Sequence, residues 1–149
     1  MITAVDSSAL IAVFLGESGS NEWMDLLVRS RREGALVICD MVAAELFAVV
    51  GDRKLFDLVL EDLGLSVVLL SMDASCEAGR LFAEYRKEGG PRKFLIPDFV
   101  IGAHANVECD RLIAADRGYL RKYFASLFPL REKKWGAVDL NSFSDSMVR

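Results

Sequence analysis

Four acidic residues in this 149-residue chain interrupt stretches that are otherwise apolar: Asp6, Glu45, Asp98 and Asp116. Glu45, for example, is the only charged residue among residues 41–50. A carboxylate loses its hydration in such surroundings, and the cost is large unless the group is paired or binds a metal ion. Most of the other acids lie among polar residues and need only a solvated surface. The four are therefore the candidates for chemistry.

The apolar pattern predicts the elements that must position these acids. Short strand-like runs alternate with longer periodic segments that are typical of helices. We predict strands over residues 2–5, 36–39, 66–70 and 112–115. We predict helices from residue 8 or 9 to residue 15 and over residues 21–33, 41–50, 53–63, 73–87 and 97–107, and a helix or turn over residues 117–124. Strands separated by helices need crossover connections. The sequence therefore predicts one α/β domain over residues 1–149, a three-layer sandwich with a mainly parallel central sheet.

Capping residues indicate where several of these helices begin. Ser7 or Ser8 is predicted to cap the first helix, because short polar side chains accept hydrogen bonds from the free amide groups of a first turn. Asp40 and Asp73 are predicted to do the same for the helices over residues 41–50 and 73–87. Glycines are expected to end the first four helices, at Gly16, Gly34, Gly51 and Gly64.

The predicted elements bring the four acids to one edge of the sheet. Asp6 and Asp116 end the first and fourth strands. Asp98 follows Pro97 in the first turn of a helix, where the helix dipole favours an anion. Glu45 lies in the second turn of the helix after the second strand. Ligands of open α/β sheets bind beyond the carboxyl ends of the strands, so the four carboxylates converge there if the first and fourth strands are neighbours.

Converging carboxylates repel one another, so one of them would hold a proton near neutral pH unless cations intervened. Ligand sets made only of oxygen select hard cations such as Mg²⁺ or Mn²⁺. Such an ion lowers the pKa of a bound water, orients a phosphodiester and stabilises the leaving oxygen. The acids therefore predict metal-assisted hydrolysis of phosphodiester bonds.

Each acid also has an ordinary structural explanation. Asp6 could cap the first helix, and Asp98 could simply favour a helix start. Asp116 could be a turn residue before residues 117–118, and Glu45 could belong to a buried salt bridge. Their combination at strand ends and helix entrances favours a functional site over four separate structural roles.

Four motifs around these acids resemble those of the PIN-domain ribonucleases, and most closely those of VapC-type toxins from bacterial and archaeal toxin–antitoxin pairs. The motifs are residues 6–10 (Asp-Ser-Ser-Ala-Leu), residues 44–46 (Ala-Glu-Leu), residues 97–105 (Pro-Asp-Phe-Val-Ile-Gly-Ala-His-Ala) and residues 112–124, the longest match. The resemblance covers roughly residues 1–130. The tail over residues 131–149 matches poorly and has no assigned role.

This resemblance implies a metal-dependent endoribonuclease that uses Mg²⁺ or Mn²⁺, forms homodimers and is inhibited by a small antitoxin protein. By the resemblance, Asp6, Asp98 and Asp116 bind the metal directly. Glu45 binds it through water or orients the nucleophile. All four acids are thus expected to be catalytic.

Neighbours of the acids have further expected roles. Ser8 either donates a hydrogen bond to the cluster or caps the helix, and Arg117 is either a contact to the scissile phosphate or a solvated turn residue. Ala114 stands where the resemblance leads us to expect Thr or Ser, so a hydroxyl that would support metal binding is missing. His104 follows Asp98 by six residues, about 240° around a helix. It is expected to point away from the cluster and to be packed with its hydrogen bonds satisfied.

The net charge of −4 hides an uneven distribution along the chain. Residues 86–134 carry 11 basic and 6 acidic side chains, a net charge of +5, and the rest of the chain has a net charge of −9. Basic pairs with nearby tyrosines could follow a phosphate backbone and stack bases, which favours RNA as a partner. An ordinary solvated surface is the alternative. The residues are Arg86-Lys87, Arg92-Lys93, Arg121-Lys122, Lys133-Lys134, Tyr119 and Tyr123.

Composition also limits the compartment and the partners. Three cysteines without CxxC spacing favour a reducing cytosol over a disulfide framework or a zinc site. The apolar runs are shorter than the roughly 18–20 residues that span a bilayer, and the first residues lack the basic region of a signal peptide. We expect a cytoplasmic protein that does not enter a membrane. Amphipathic segments over residues 21–33 and 53–63 suit an interface with a second copy or with a helix of an antitoxin.

Three other functions compete with a ribonuclease toxin. The chain could be a PIN-type nuclease of RNA processing that has no antitoxin. It could be a non-catalytic binding module whose acids form buried salt bridges, although no lone Lys or Arg lies in the same apolar runs. It could also hydrolyse phosphate esters with Asp6 as the nucleophile, but Ser8 occupies the place of the second acid that such chemistry needs.

Overall fold

Four short parallel strands form the central sheet of the computed structural model, which describes residues 1–90, 96–115 and 122–127. The strands are β1 (Ile2–Val5), β2 (Ala35–Cys39), β3 (Leu65–Val68) and β4 (Arg111–Ile113). Their order across the sheet is β3-β2-β1-β4. The predicted parallel sheet is confirmed, and β1 and β4 are neighbours as the convergence of the acids requires.

Six α-helices connect the strands in the described part of the chain. They are α1 (Ser7–Leu15), α2 (Ser20–Glu33), α3 (Asp40–Val50), α4 (Arg53–Leu63), α5 (Met72–Lys87) and α6 (Ile96–Glu108), with a short 3₁₀ helix at Ala125–Leu127. Every predicted helix from the first to the sixth is confirmed. α1 begins one or two residues before its predicted start, and the other helix ends are displaced by at most one residue. The segment over residues 117–124 lies largely outside the described residues.

Two of the predicted helix caps are wrong. Asp40 is the first residue of α3 and not its cap, and its carboxylate accepts a hydrogen bond from the backbone N of Leu70 at 3.3 Å. Ser71 caps α5, because its hydroxyl accepts from the backbone N of Ala74 at 3.1 Å, and Asp73 lies inside the first turn. Asp40 therefore ties the segment after β3 to the start of α3.

A buried arginine fixes the beginning of β4 against β1 and α2. Arg111 donates from Nε to Thr3 Oγ1 at 2.7 Å and from Nη2 to Glu33 Oε2 at 2.6 Å, and its side chain is 7% exposed. The preceding Asp110 accepts from the backbone N of Ile2 at 2.6 Å. A buried guanidinium is costly without partners, so these contacts hold the β1–β4 register in place.

Aromatic side chains pack α5 against α6. The ring of Phe99 lies 5.3 Å from the ring of Tyr85 and 5.6 Å from that of Phe82, measured between centroids. Gly102 on α6 leaves room for the buried ring of Phe124, which would lie 2.3 Å from a Cβ at that position. Because interiors are close-packed, this glycine determines how near the segment after β4 comes to α6.

The three cysteines are free thiols, as the sequence predicts. Burial raises the pKa of Cys109 to about 12 and also raises that of Cys39. Both thiols are therefore neutral near pH 7 and behave as packing groups. Within the described ranges, no helix is both long enough and apolar enough to cross a bilayer.

Two glycine substitutions test the packing around α6. We expect Gly102→Ala to lower the free energy of unfolding by about 1–3 kcal/mol, because the new methyl group overlaps the Phe124 ring. Gly79→Ala on the exposed face of α5 meets no atom within 4 Å. It should raise the free energy of unfolding by about 0.5–1 kcal/mol through helix propensity. Urea denaturation measures both, and equal stabilisation by the two changes would contradict the packing argument.

Candidate functional site

Asp6 lies at the carboxyl end of β1 and caps α1. Its backbone N donates to the carbonyl oxygen of Ile113 at 2.8 Å, which continues the pairing of β1 with β4. Its Oδ2 accepts from the backbone N of Ser8 at 3.2 Å and from the Ser8 hydroxyl. The residue is only 6% exposed. The prediction that Ser7 or Ser8 caps α1 is thus wrong, and Asp6 has both a structural role and the position expected of a ligand.

The hydroxyl of Ser8 joins β1 to the segment after β4. Besides donating to Asp6, it accepts a hydrogen bond from the backbone N of Ala115 at 3.4 Å. Ala115 directly precedes Asp116, and Ala114 is buried. Ser8 therefore joins the segment after β1, which carries Asp6, to the segment after β4, which leads into Asp116. Its side chain does not cap α1.

Glu45 lies in the second turn of α3, half-buried, and faces the start of α1. Its Oε2 accepts a hydrogen bond from the Ser7 hydroxyl at 2.6 Å, and Ser7 is 7% exposed. Ser7 directly follows Asp6 in the sequence, so this bond ties α3 to the start of α1 beside Asp6. Ser7 was expected only as a possible cap of α1, and its one signal for a contact with a predicted acid was its position between an isolated acid and Ser8.

Asp98 lies in the first turn of α6 and is half-buried. The helix packs against α3, β1 and β4. Only Cys109 and Asp110 separate its end from the start of β4, so α6 runs antiparallel to the strands. At about 1.5 Å per residue its 13 residues span about 20 Å, which is more than the length of any strand of the sheet. Its first turn is therefore directed to the carboxyl edge, where Asp6 lies.

The remaining predicted residues, Asp116 and Arg117, lie outside the described residues. Within residues 1–90, 96–115 and 122–127, no group of three or more His, Cys, Asp or Glu side chains is close enough to hold a metal ion. Among the described residues, the carboxylates of Asp6 and Glu45 accept hydrogen bonds from the adjacent Ser8 and Ser7. They are hard oxygen ligands of the kind that Mg²⁺ and Mn²⁺ prefer.

His104 is buried in α6, 1% exposed, as predicted for a packing residue. The expectation that its hydrogen bonds are satisfied is wrong for the described part of the chain, where neither ring nitrogen has a partner. Burial lowers the pKa of His104, and the charges of Glu108 and Asp40 oppose that shift. The imidazole is therefore held neutral inside the fold.

One part of the predicted basic surface makes internal contacts. Lys122 Nζ and the Tyr123 hydroxyl both donate to Glu88 Oε2, at 2.6 and 2.7 Å, and these bonds lower the pKa of Glu88. The Tyr123 ring packs at 5.5 Å from that of Phe99 and 6.0 Å from that of Tyr85, so it has a packing role. The residues of this surface that lie outside the described ranges are Arg92, Lys93, Tyr119, Arg121, Lys133 and Lys134.

Comparison with known proteins places these features in one family. The family model for the PIN domain matches residues 3–125 of the chain. That range includes all four predicted acids and both serines. No curated protein sequence matches the chain significantly.

Several solved structures have a similar fold. VapBC2 from Rickettsia felis, bound to a DNA fragment from its promoter, has a TM-score of 0.61 and 20% identity, covering 85% of this chain and 96% of that chain. DNA-bound VapBC from Salmonella typhimurium has a TM-score of 0.57 and 16% identity, covering 93% and 98%. VapBC-1 from nontypeable Haemophilus influenzae has a TM-score of 0.57 and 17% identity, covering 93% and 98%.

The buried imidazole generates a test of stability against pH. An unfolded His has a pKa of about 6.5, and the folded pKa of His104 is lower, so the unfolded chain binds more protons below that pH. The contribution of neutral His104 to the free energy of unfolding is therefore complete above about pH 6.5. It is lost as the pH falls towards the pKa of the folded state, by up to about 1.4 kcal/mol per pH unit. His104→Leu should flatten the decline in the free energy of unfolding between pH 7 and 5. Since both proteins have the same carboxylates, parallel pH profiles would contradict this assignment.

Proposed function

Given that the chain belongs to the PIN domain family, a family of nucleases, we propose that it is a metal-dependent endoribonuclease that acts as the toxin of a toxin–antitoxin pair. The observation that carries the proposal is that consecutive serines at the start of α1 each donate to one of the predicted carboxylates. The acceptors are Asp6, at the end of β1, and Glu45 of α3. The backbone N of Ala115, the residue before Asp116, donates to the hydroxyl of Ser8.

The donor set fits a hard divalent cation. In the proposed site Asp6, Asp98 and Asp116 bind Mg²⁺ or Mn²⁺, and Glu45 acts through water. When bound, such an ion supplies positive charge at the scissile phosphate and activates water for attack. Asp6 is only 6% exposed, so water would screen the attraction between its carboxylate and a cation only weakly.

The chain's own residues then supply orientation. Ser7 donates to Glu45, and in this proposal Glu45 orients the attacking water and accepts its proton. Arg117, next to Asp116, is placed in sequence to meet the phosphate. The α6 dipole assists at its first turn, because the free amide groups there favour the negative charge of Asp98.

RNA is the proposed substrate, and the basic stretch over residues 86–134 supports it. Arg86 and Lys87 are exposed at the end of α5. The pair of Lys122 with Glu88 is also exposed, and surface ion pairs of this kind contribute little, so an RNA phosphate can compete for the lysine.

An antitoxin is the proposed protein partner, and a groove between α2 and α4 supports it. Apolar side chains of α2, namely Met24, Leu27 and Val28, line the groove beside Leu63 of α4. Charges of both signs surround it: Arg31, Arg32, Glu61 and Asp62. A helix with one apolar face and a charged rim fits such a groove. The solved neighbours are VapBC complexes, which is consistent with this partner.

The alternatives are a PIN nuclease of RNA processing without an antitoxin and a non-catalytic module. The module needs cations paired with the acids. Among the described residues, the buried guanidinium of Arg111 is bound by Thr3 and Glu33. Homodimerisation and a cytoplasmic location stay predictions.

Cleavage of a mixed RNA pool tests the nuclease. With Mn²⁺ or Mg²⁺ the wild type should cut RNA, and EDTA should stop it. Asp98→Asn should lower the rate at least about 100-fold, equivalent to about 2.7 kcal/mol. Asp73→Asn is the matched control, since Asp73 also lies in the first turn of a helix, at an exposed position. Equal activity of the wild type and Asp98→Asn would overturn the metal-nuclease proposal.

The proposed antitoxin groove is tested with the product of the adjacent gene. Val28→Glu places a charge in the groove, where the valine is 43% exposed, and should raise the Kd for that product at least about tenfold. Val107→Glu is the control, because Val107 is 42% exposed on α6, away from the groove. Both variants should still cleave RNA. No inhibition of the wild type by that product, or equal loss of inhibition in both variants, would contradict the assignment.

A further inference from the structure

Two consecutive serines at the start of α1 hold different parts of the candidate site. The Ser7 hydroxyl donates to Glu45 of α3, 38 residues away in sequence. The Ser8 hydroxyl donates to Asp6 and accepts from the backbone of Ala115, 107 residues away. We propose that Ser7 and Ser8 are positioning residues that set the spacing of the acids, Ser7 for the water-orienting Glu45 and Ser8 for the metal-binding Asp6. This inference rests on the proposed function.

The Ser7 contact has the features of a positioning bond. Ser7 is 7% exposed, so solvent competes little for its hydroxyl, and the bond to Glu45 Oε2 is 2.6 Å long. Hydrogen bonds to a carboxylate are roughly twice as strong as neutral ones. Glu45 has three rotatable side-chain bonds, and a fixed partner on α1 selects the rotamer that faces the carboxyl edge of the sheet.

Ser8 uses its hydroxyl both as a donor and as an acceptor. Donation to Asp6 Oδ2 adds to the capping bond from the Ser8 backbone, so two bonds hold the same carboxylate oxygen. Acceptance from Ala115 ties that carboxylate to the chain one residue before Asp116. A single hydroxyl therefore joins Asp6, which follows β1, to the segment that follows β4.

The geometry of an α-helix explains why the adjacent Ser7 and Ser8 contact different elements. Successive side chains of an α-helix point about 100° apart. At the start of α1 one hydroxyl therefore reaches α3, while the next reaches the end of β4. Exchange of Ser7 for alanine should thus perturb Glu45, whereas exchange of Ser8 should perturb Asp6 and the segment that leads into Asp116.

Direct Mn²⁺ binding and kinetics together separate the two roles. Ser8→Ala should raise the Kd for Mn²⁺, measured by isothermal titration calorimetry, about 10–100-fold, as for other residues that orient metal ligands. Ser7→Ala should leave that Kd within about threefold but lower kcat about 10–100-fold with KM unchanged, because it acts through Glu45. Ser7→Thr keeps a hydroxyl and should restore kcat.

Ser71→Ala is the matched control for a purely structural effect. It removes the capping hydroxyl of α5 and should cost about 0.5–2 kcal/mol of stability, with no change in Mn²⁺ binding or kcat. In a Glu45→Ala background, Ser7→Ala should cause no further loss of kcat, because its partner is gone.

The outcomes distinguish this inference from the proposed function. If the wild type neither binds Mn²⁺ nor cleaves RNA, the proposed function fails and the positioning roles fail with it. If the wild type does both, while Ser7→Ala and Ser8→Ala behave like Ser71→Ala, the positioning roles alone are wrong. A loss of Mn²⁺ affinity in Ser8→Ala and a loss of kcat in Ser7→Ala support them.

Discussion

The carboxylate of Asp6 is buried where β1 ends and α1 begins, and the surrounding structure is arranged to satisfy it. The backbone and the hydroxyl of Ser8 both donate to it, and the pairing of β1 with β4 continues through its own backbone N. A buried carboxylate is stable only when it is hydrogen-bonded, paired or bound to a cation. Asp6 therefore belongs at once to the cap of α1, to the edge of the sheet and to the candidate site.

The parallel sheet brings other segments of the chain to the edge where Asp6 lies. Because β1 lies between β2 and β4 and all three strands are parallel, the segments that follow them begin at the same carboxyl edge of the sheet. α3 follows β2 directly and carries Glu45 towards α1, whereas α6 runs antiparallel to the strands and begins near the same edge. The contacts of Arg111 at the opposite edge fix the β1–β4 register on which the arrangement depends.

Much of the fold follows from local patterns in the sequence. The apolar runs of the strands and the glycines that end α1–α4 locate the elements to within two residues. The caps were less predictable. For α5 both Ser71 and Asp73 satisfy the local rule, and only the path of the chain after β3 selects Ser71. Asp40 likewise prefers the backbone of Leu70, a partner 30 residues away.

The sequence by itself determined which carboxylates are isolated among apolar residues, because hydration cost depends on local composition. It also determined the order of strands and helices along the chain. The tertiary structure decided that β1 and β4 are neighbours, which the predicted convergence of the acids requires, because sheet order depends on long-range packing. The tertiary structure alone decided the partners of individual side chains: Ser7 with Glu45, Arg111 with Glu33, and no partner among the described residues for the ring of His104. Such contacts join residues 38 and 78 positions apart, and no local spacing encodes which distant group packing will bring within hydrogen-bond reach.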